Sequence, residues 1–330
     1  GFEIIACPEV FIAAAAERTK NIKLGTGVVS LPYHHPFMVA GRATQLDHMT
    51  RGRFMLGVGP GALVGDAYRM GIDPEAQRRM MNESLDVIVK LMDGGTVSMK
   101  SDWFEAKDAH LQIPPFTTPR TEMAVACARS PSGALAAGKH GLGMLSIGGT
   151  NDEALIHHAN NWRMCEEAAA ENGKVGVVQT WLAGDGLVDA TCVHRGVSGC
   201  TLLLLAAEHG HKQLVQVLLK RGAEADAQDS EGCTALMAAA AKGHERVADL
   251  LLQHGAEINF QNSLGGTALK AAAFHNRPAV VLRLLRAGAD MTLCTTDGKT
   301  ALLWAKEQGH AECVRALVDH AAAEKAALGR

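Results

Sequence analysis

Four threonines, Thr201, Thr234, Thr267 and Thr300, stand 33 residues apart, and each opens the same phrase: TLLLLAA, TALMAAA, TALKAAA and TALLWAK. A strict period of this length admits few folds, because each unit must be one small supersecondary element that repeats its contacts with its neighbours. Within a unit the order is constant. A threonine able to cap a helix precedes apolar residues at helical spacing, then a turn residue (Gly210, Gly243, Asn276 or Gly309) and a second amphipathic stretch such as Leu214, Val217, Leu218 and Leu219. Three units then close on a glycine, Gly222, Gly255 or Gly288. The spacing predicts helix, turn, helix and loop. One such pair has too little apolar surface to fold alone, so the units must stack, and Ala206, Ala239, Ala272 and Ala305 let their first helices approach closely.

This helix-turn-helix unit, entered through a turn of the type DSEGCT (229–234), resembles the ankyrin repeat over roughly residues 166–320. The resemblance implies an all-α solenoid that grips a protein partner through its turn tips and the concave face of its first helices. The candidate contacts are Met237, Phe260, Gln261, Asn262, Lys270 and Leu293, with Phe260 read as an exposed aromatic anchor. Ankyrin repeats often carry histidine at the fourth place of the threonine phrase, whereas this chain has Leu204, Met237, Lys270 and Leu303, which weakens hydrogen bonding between turns. His209, His211, His244 and His310 belong to or flank the turn between paired helices, where the ring is expected to cap a backbone group.

The first half is patterned differently. Short apolar runs at Ile22–Val29, Arg53–Val58, Glu122–Ala128 and Leu142–Ile147 read as strands, and helices are signalled at about 8–18, 36–50, 74–93, 132–140 and 151–172. Alternation of this kind predicts βα units around a parallel sheet. Asp73 and Pro74 look like the cap and first turn of a helix whose buried stripe is Met81, Leu85, Ile88 and Met92, with Gly94-Gly95 as its stop.

Three phrases carry a second resemblance: TKNIKLGTGVVSLPYHHPF (19–37), QLDHMTRGRFMLGVGPGA (45–62) and SPSGALAAGKHGLGMLS (130–146). In order and spacing they are similar to the bacterial-luciferase-like flavin monooxygenases. That likeness implies a (β/α)8 barrel using reduced FMN, or a deazaflavin in some branches, with molecular oxygen as co-substrate, a small apolar terpene-like substrate and a flavin reductase as partner. Active groups of such barrels gather where strands end. The residues expected to hold flavin are therefore Gly57 and Gly59 after one strand, Ser130, Ser132 and Gly133 at a helix N-terminus suited to phosphate, and Thr26, Gly27 and Val28 flanking the ring. His34, His35 and Arg129 lie in the same loops and read equally well as polar turn residues. No catalytic acid or base is assigned.

A closed barrel takes eight strands and about 250 residues. With four recognisable strands, the predicted architecture is an incomplete barrel over 1–165 joined to an ankyrin solenoid over 166–330, whose first unit begins inside the barrel's last helix. Comparison with the family implies that the sequence starts just after the second strand and lacks the last two. An open sheet leaves two unpaired edges and should need a partner. Two functions follow: a flavin-dependent monooxygenase-like module fused to a protein-binding stack, or an interaction scaffold with a catalytically inactive barrel remnant.

Composition narrows the rest. At 47% hydrophobic and 20% charged the chain can build true cores, and 32 basic against 35 acidic residues leave no basic excess for nucleic acid. No apolar run reaches membrane-spanning length. The eight cysteines lack any C-x-x-C pair and suit a reducing, cytoplasmic setting. Cys192, His194 and Cys200 are too irregularly spaced to read as a metal centre, and no metal is expected.

Overall fold

The computed structural model describes residues 8–61, 63–127, 131–146, 152–183 and 188–328, which fall into two compact units, 1–168 and 169–330. In the first unit the chain runs α1 (Pro8–Arg18), β1 (Leu24–Gly25), β2 (Val29–Ser30), α2 (Pro36–Thr50), β3 (Phe54–Gly59), α3 (Val64–Arg69), α4 (Gln77–Met92), β4 (Val97–Lys100), β5 (Glu105–Ala109), β6 (Glu122–Cys127), α5 (Ser132–His140) and β7 (Gly143–Ser146). Helix α6 (Asp152–Glu171) follows and runs past the division between units.

The main sheet is parallel, in the order β1-β3-β6-β7 with β2 also on β3, which is a half-barrel sheet. Phe54, Leu56 and Val58 of β3 and Met123, Val125 and Cys127 of β6 are buried on one face. The opposite face carries small residues, with Gly57 beside Ala124 and Ala124 beside Gly143 across three strands. Helix α4, whose fully buried stripe includes Met81, Leu85, Ile88 and Met92, packs against α2 and α5. Arg53 locks the start of this layer by donating to the carbonyls of Thr19, Ile22 and Thr50 at 3.0, 2.8 and 3.0 Å. Asp47, fully buried, accepts from the Thr117 amide and hydroxyl, both at 2.8 Å, and so pins the loop ahead of β6 to α2.

Three departures from the sequence pattern have physical causes. The expected strand over 22–29 is split, because the register moves from Gly25 opposite Met55 to Val29 opposite Val58, which inserts one extra residue on the outer strand. Asp73 does not cap α4. Its carboxylate accepts from the Glu75 amide at 2.9 Å, making a local turn, and the helix begins three residues beyond Pro74, at Gln77. The β4–β5 hairpin escapes notice because Glu105–Ala109 reads as a polar run, and its pairing with β4 is irregular between Val97 and Met99.

The second unit holds α7 (Val175–Ala183), the hairpin β8 (Thr191–His194) and β9 (Val197–Thr201), then the helix pairs α8 (Leu202–Glu208) with α9 (Lys212–Lys220), α10 (Ala235–Lys242) with α11 (Glu245–Gln253), α12 (Ala268–Phe274) with α13 (Pro278–Arg286), and α14 (Ala301–Glu307) with α15 (Ala311–Leu328). Each repeat threonine caps its helix, accepting from the amides of Leu204, Met237, Lys270 and Leu303. All four spacing alanines are fully buried. The stack is tied by two ladders. Asp189, Asp226 and Asn259 accept from the amides of Glu224, Glu257 and Asp290 at 3.0, 2.9 and 2.8 Å. In the turns, His211, His244, Arg277 and His310 reach carbonyls of the preceding unit, namely those of Glu171, Glu208, Ala241 and Phe274.

The capping role makes a direct prediction. Thr234→Ala lowers the stability of the repeat unit by about 1 kcal/mol in chemical denaturation, because the Met237 amide loses its acceptor inside the stack.

Candidate functional site

The carboxyl edge of the half-barrel sheet is assembled by four chain segments. Residues 26–28 form the extra turn of chain between β1 and β2, the Leu31–Tyr33 turn and His34 follow β2, Pro60 and Gly61 follow β3, and α5 opens beyond β6. Thr26 is buried. Its amide donates to the Met55 carbonyl at 3.2 Å, and its hydroxyl donates to the Gly57 carbonyl at 2.8 Å while accepting from the Gly57 amide at 2.9 Å. These bonds replace the interrupted ladder and press residues 26–28 onto β3.

That close approach changes what the glycines mean. A Cβ on Gly57 would stand 2.1 Å from the Thr26 carbonyl oxygen, and one on Gly59 would stand 3.0 Å from Cγ2 of Val28. On the side where a Cβ would stand, both glycines are covered by residues 26–28, so packing restricts side-chain size at both places. Gly133 is similar: its Cβ would stand 2.3 Å from the Ala126 carbonyl oxygen, so its smallness seats α5 against the end of β6. Of the residues expected to flank or hold flavin, Gly27 is exposed and Val28 and Ser132 are half-buried. Ser130 and Arg129 lie outside the described residues.

His35 is engaged elsewhere. Its Nδ1 accepts from the Phe37 amide as the cap of α2 and its Nε2 contacts the Glu105 carbonyl at 3.2 Å. A pair the sequence reading passed over sits at the end of β3, where the Gln77 amide donates to the Tyr33 hydroxyl at 2.9 Å. Gly61, at φ +84°, allows it: a Cβ there would stand 2.8 Å from Gln77 Nε2. Tyr33 belongs to the YHHP phrase, but nothing in the spacing pairs it with a glutamine 44 positions later.

Elsewhere in the first unit, burial sets the chemistry. It pushes the Cys127 thiol to about 11 and the Cys165 thiol to about 12, so neither is a nucleophile near neutrality. Glu166, buried in α6, is pushed up to about 8 by burial and, second, by neighbouring Glu167. Among the described residues no group of three or more histidines, cysteines or acids is arranged to hold a metal ion. Cys192 and Cys200 face each other across the β8–β9 hairpin, with both side chains buried.

In the repeat unit a cavity of about 620 Å3 lies along the first helices and their turns. Met237, Asn262 and Lys270 line it, as do Leu264, Phe274 and Trp304, which the sequence reading did not single out. Phe260 is not the exposed anchor expected of it. Its ring is half-buried against the repeat core, while Leu264 at the turn tip is 65% exposed. Gln261 bridges neighbouring turns by donating to the carbonyls of Gly265 and Cys294, both at 3.1 Å, and Leu293 is half-buried outside the cavity.

With a parallel half-barrel sheet and a small-residue face established, the family comparison is decisive: the model for luciferase-like monooxygenases matches residues 6–183. The chain belongs to the luciferase-like monooxygenase family. It also carries ankyrin repeats, whose three-copy model matches residues 167–262 and again 263–329. Among curated proteins, limonene 1,2-monooxygenase of Rhodococcus erythropolis is 51% identical over 174 residues, covering 53% of this chain and 44% of that protein. The 4-hydroxyprotoasukamycin monooxygenase of Streptomyces nodosus subsp. asukaensis is 50% identical over 180 residues, covering 53% and 48%. The oxygenase component of a flavin-dependent trigonelline monooxygenase from Acinetobacter baylyi is 30% identical over 172 residues, covering 50% and 47%. The chain thus spans about half the length of the curated relatives it matches. No helix among the described residues is long and apolar enough to cross a membrane.

Proposed function

We propose that the first unit is a flavin-binding, monooxygenase-like module and that the repeat unit is its protein-binding partner module. The observation that carries the first part is the one-residue bulge at 26–28 between β1 and β2, which leaves Gly27 exposed and Val28 half-buried toward the carboxyl end of β3. These residues fit a flat cofactor. A Cβ on Gly27 meets no atom within 4 Å, so a ring can approach its backbone, and the first-turn amides of α5 at Ser132 and Gly133 suit a phosphate. Reduced FMN would supply oxygen activation for transfer of one atom to a small apolar substrate, whereas a deazaflavin in the same place would supply hydride transfer instead. The protein's own part is to bind and orient the ring through Gly27 and Val28, hold the phosphate at α5 and exclude water with the apolar surroundings. Thr26, Gly57 and Gly59 support that edge from beneath, and a flavin reductase is the expected source of reduced cofactor.

Titrating the full chain with oxidised and reduced FMN tests this. Saturable binding with oxygen consumption supports the module, and absence of binding leaves the repeat stack as a scaffold beside an inactive barrel remnant. The second reading draws on Gly57 and Gly133, at each of which a Cβ would press on a backbone carbonyl oxygen of the protein whether or not a ligand binds. Gly27→Leu separates the two. It adds bulk to open space, so FMN binding weakens by about tenfold or more while thermal unfolding is unchanged, a ratio that fluorescence titration reads directly.

A further inference from the structure

The fourth place of the threonine phrase is apolar in three of the four repeats, as Leu204, Met237 and Leu303, and is lysine in the other. Lys270 is nevertheless as buried as its counterparts in the two preceding repeats, at 4% exposure against 6% for Leu204 and 5% for Met237, whereas Leu303 in the last repeat is 45% exposed. Its ammonium carries three N–H groups, and one of them donates to the Gly265 carbonyl at 2.6 Å, an oxygen that already accepts from Gln261. The side chain lines the 620 Å3 cavity, whose walls include Met237, Phe274 and Trp304. Burial lowers its pKa, against smaller opposing influences from Cys294 and Asp297.

The acids around the cavity are committed elsewhere. Glu208 pairs with Arg195 and Lys242, both at 3.2 Å. Asp229 accepts from the amides of Glu231 and Cys233 at 2.9 Å each, and Asp297 takes the Thr295 hydroxyl and lies 3.8 Å from Lys299. Lys242, the other lysine of the cavity wall, has Glu208. Among the described residues Lys270 has no carboxylate in ion-pair contact, although buried apolar residues, Leu204 and Met237, fill the same place in the two preceding repeats. A buried cation gains most from an anion that also fills the apolar space around it.

We propose that this groove binds an extended segment of a partner protein through an aspartate or glutamate side chain that pairs with Lys270, with adjacent aliphatic residues of that segment packing on Met237, Phe274 and Trp304. This deepens the reading of the repeat unit as a protein-binding stack and rests on it. The carboxylate meets the ammonium inside a largely apolar cavity, where a charge-assisted hydrogen bond is stronger than at the surface. The flanking side chains give the partner its area, and the acid gives it register.

A phage-displayed random-peptide library panned on the full chain tests the proposal, followed by fluorescence-polarisation titration of the selected peptides. The expected result is enrichment of an acidic residue flanked by aliphatic ones. Replacing that acid by its amide, Asp by Asn or Glu by Gln, weakens binding to the unaltered chain by about tenfold or more, and Lys270→Met, which copies the residue at position 237, weakens the acidic peptide by a similar factor. The amide swap needs no protein variant, so the question stays answerable if Lys270→Met fails to fold. Peptides that are displaced by Phe274→Ala but show no acid preference overturn the carboxylate pairing and leave the protein-binding groove standing. Failure to select any peptide overturns both.

Discussion

Gly57→Ala lowers the stability of the first unit by about 3 kcal/mol or more, and does so in the absence of any flavin. The new methyl would stand 2.1 Å from the Thr26 carbonyl oxygen, a backbone atom with little freedom to move. Thr26 is held to β3 by its amide on the Met55 carbonyl and by two hydroxyl bonds to Gly57 itself, so relief requires breaking the bridge that spans the gap between the β1–β3 and β2–β3 pairings. Gly59→Ala is milder, costing about 1 kcal/mol, because the atom it meets at 3.0 Å is the end of the Val28 side chain. Urea denaturation followed by circular dichroism, with and without FMN, measures both. A Gly57→Ala chain that unfolds like the original and loses only FMN affinity would assign the glycine to the ligand after all, and the packing argument would fall.

That contrast marks how much of the site could be read from residues alone. Glycines clustered toward a strand end announce a close approach, and Gly57 and Gly59 do fall in the second half of β3. The sequence pattern could not say what approaches. At Gly57 and Gly133 the answer is a backbone carbonyl of the protein, contributed by Thr26 and Ala126, and no spacing rule connects those pairs. The strands of the half-barrel were legible because buried parallel strands are continuous apolar runs, as in FMLGVG, whereas the β4–β5 hairpin hides in EAKDA, whose charged side chains are compatible with exposure on an edge.

The repeat unit was legible almost residue by residue, since a solenoid repeats each contact at the period of its sequence. The threonine caps, the buried alanines and the histidine rungs all recur at 33 residues. Where the period is broken the sequence is least informative about local packing and most informative about function. Arg277 takes the place of a histidine and still reaches the preceding unit's carbonyl, at 3.1 Å, so that substitution preserves the rung. Lys270 takes the place of an apolar residue and is buried without a carboxylate in ion-pair contact among the described residues, so that substitution leaves something to be completed.

Glu166→Gln stabilises the first unit at alkaline pH by on the order of 4 kcal/mol and leaves it nearly unchanged at pH 4. The carboxyl titrates near 4.5 when the chain is unfolded and near 8 in the folded unit, with burial the larger cause and Glu167 the smaller. Between those values the folded state binds more protons than the unfolded one, so stability falls as pH rises through the window from 4.5 to 8 and the full penalty is present above it. Glutamine mimics the protonated acid in shape and never charges, so its stability curve lacks that descent. The neighbouring thiols do not confuse the comparison, since Cys127 and Cys165 stay protonated in the folded unit to about 11 and about 12. Glu167→Gln provides the internal control. It removes the lesser cause and a 3.6 Å ion pair with Arg163, so it narrows the divergence between the curves without abolishing it. Urea midpoints of the three chains from pH 4 to pH 9 decide the matter: curves for the original and Glu166→Gln that stay parallel across this range would mean that the α6 carboxyl is charged in the folded protein and finds compensation there.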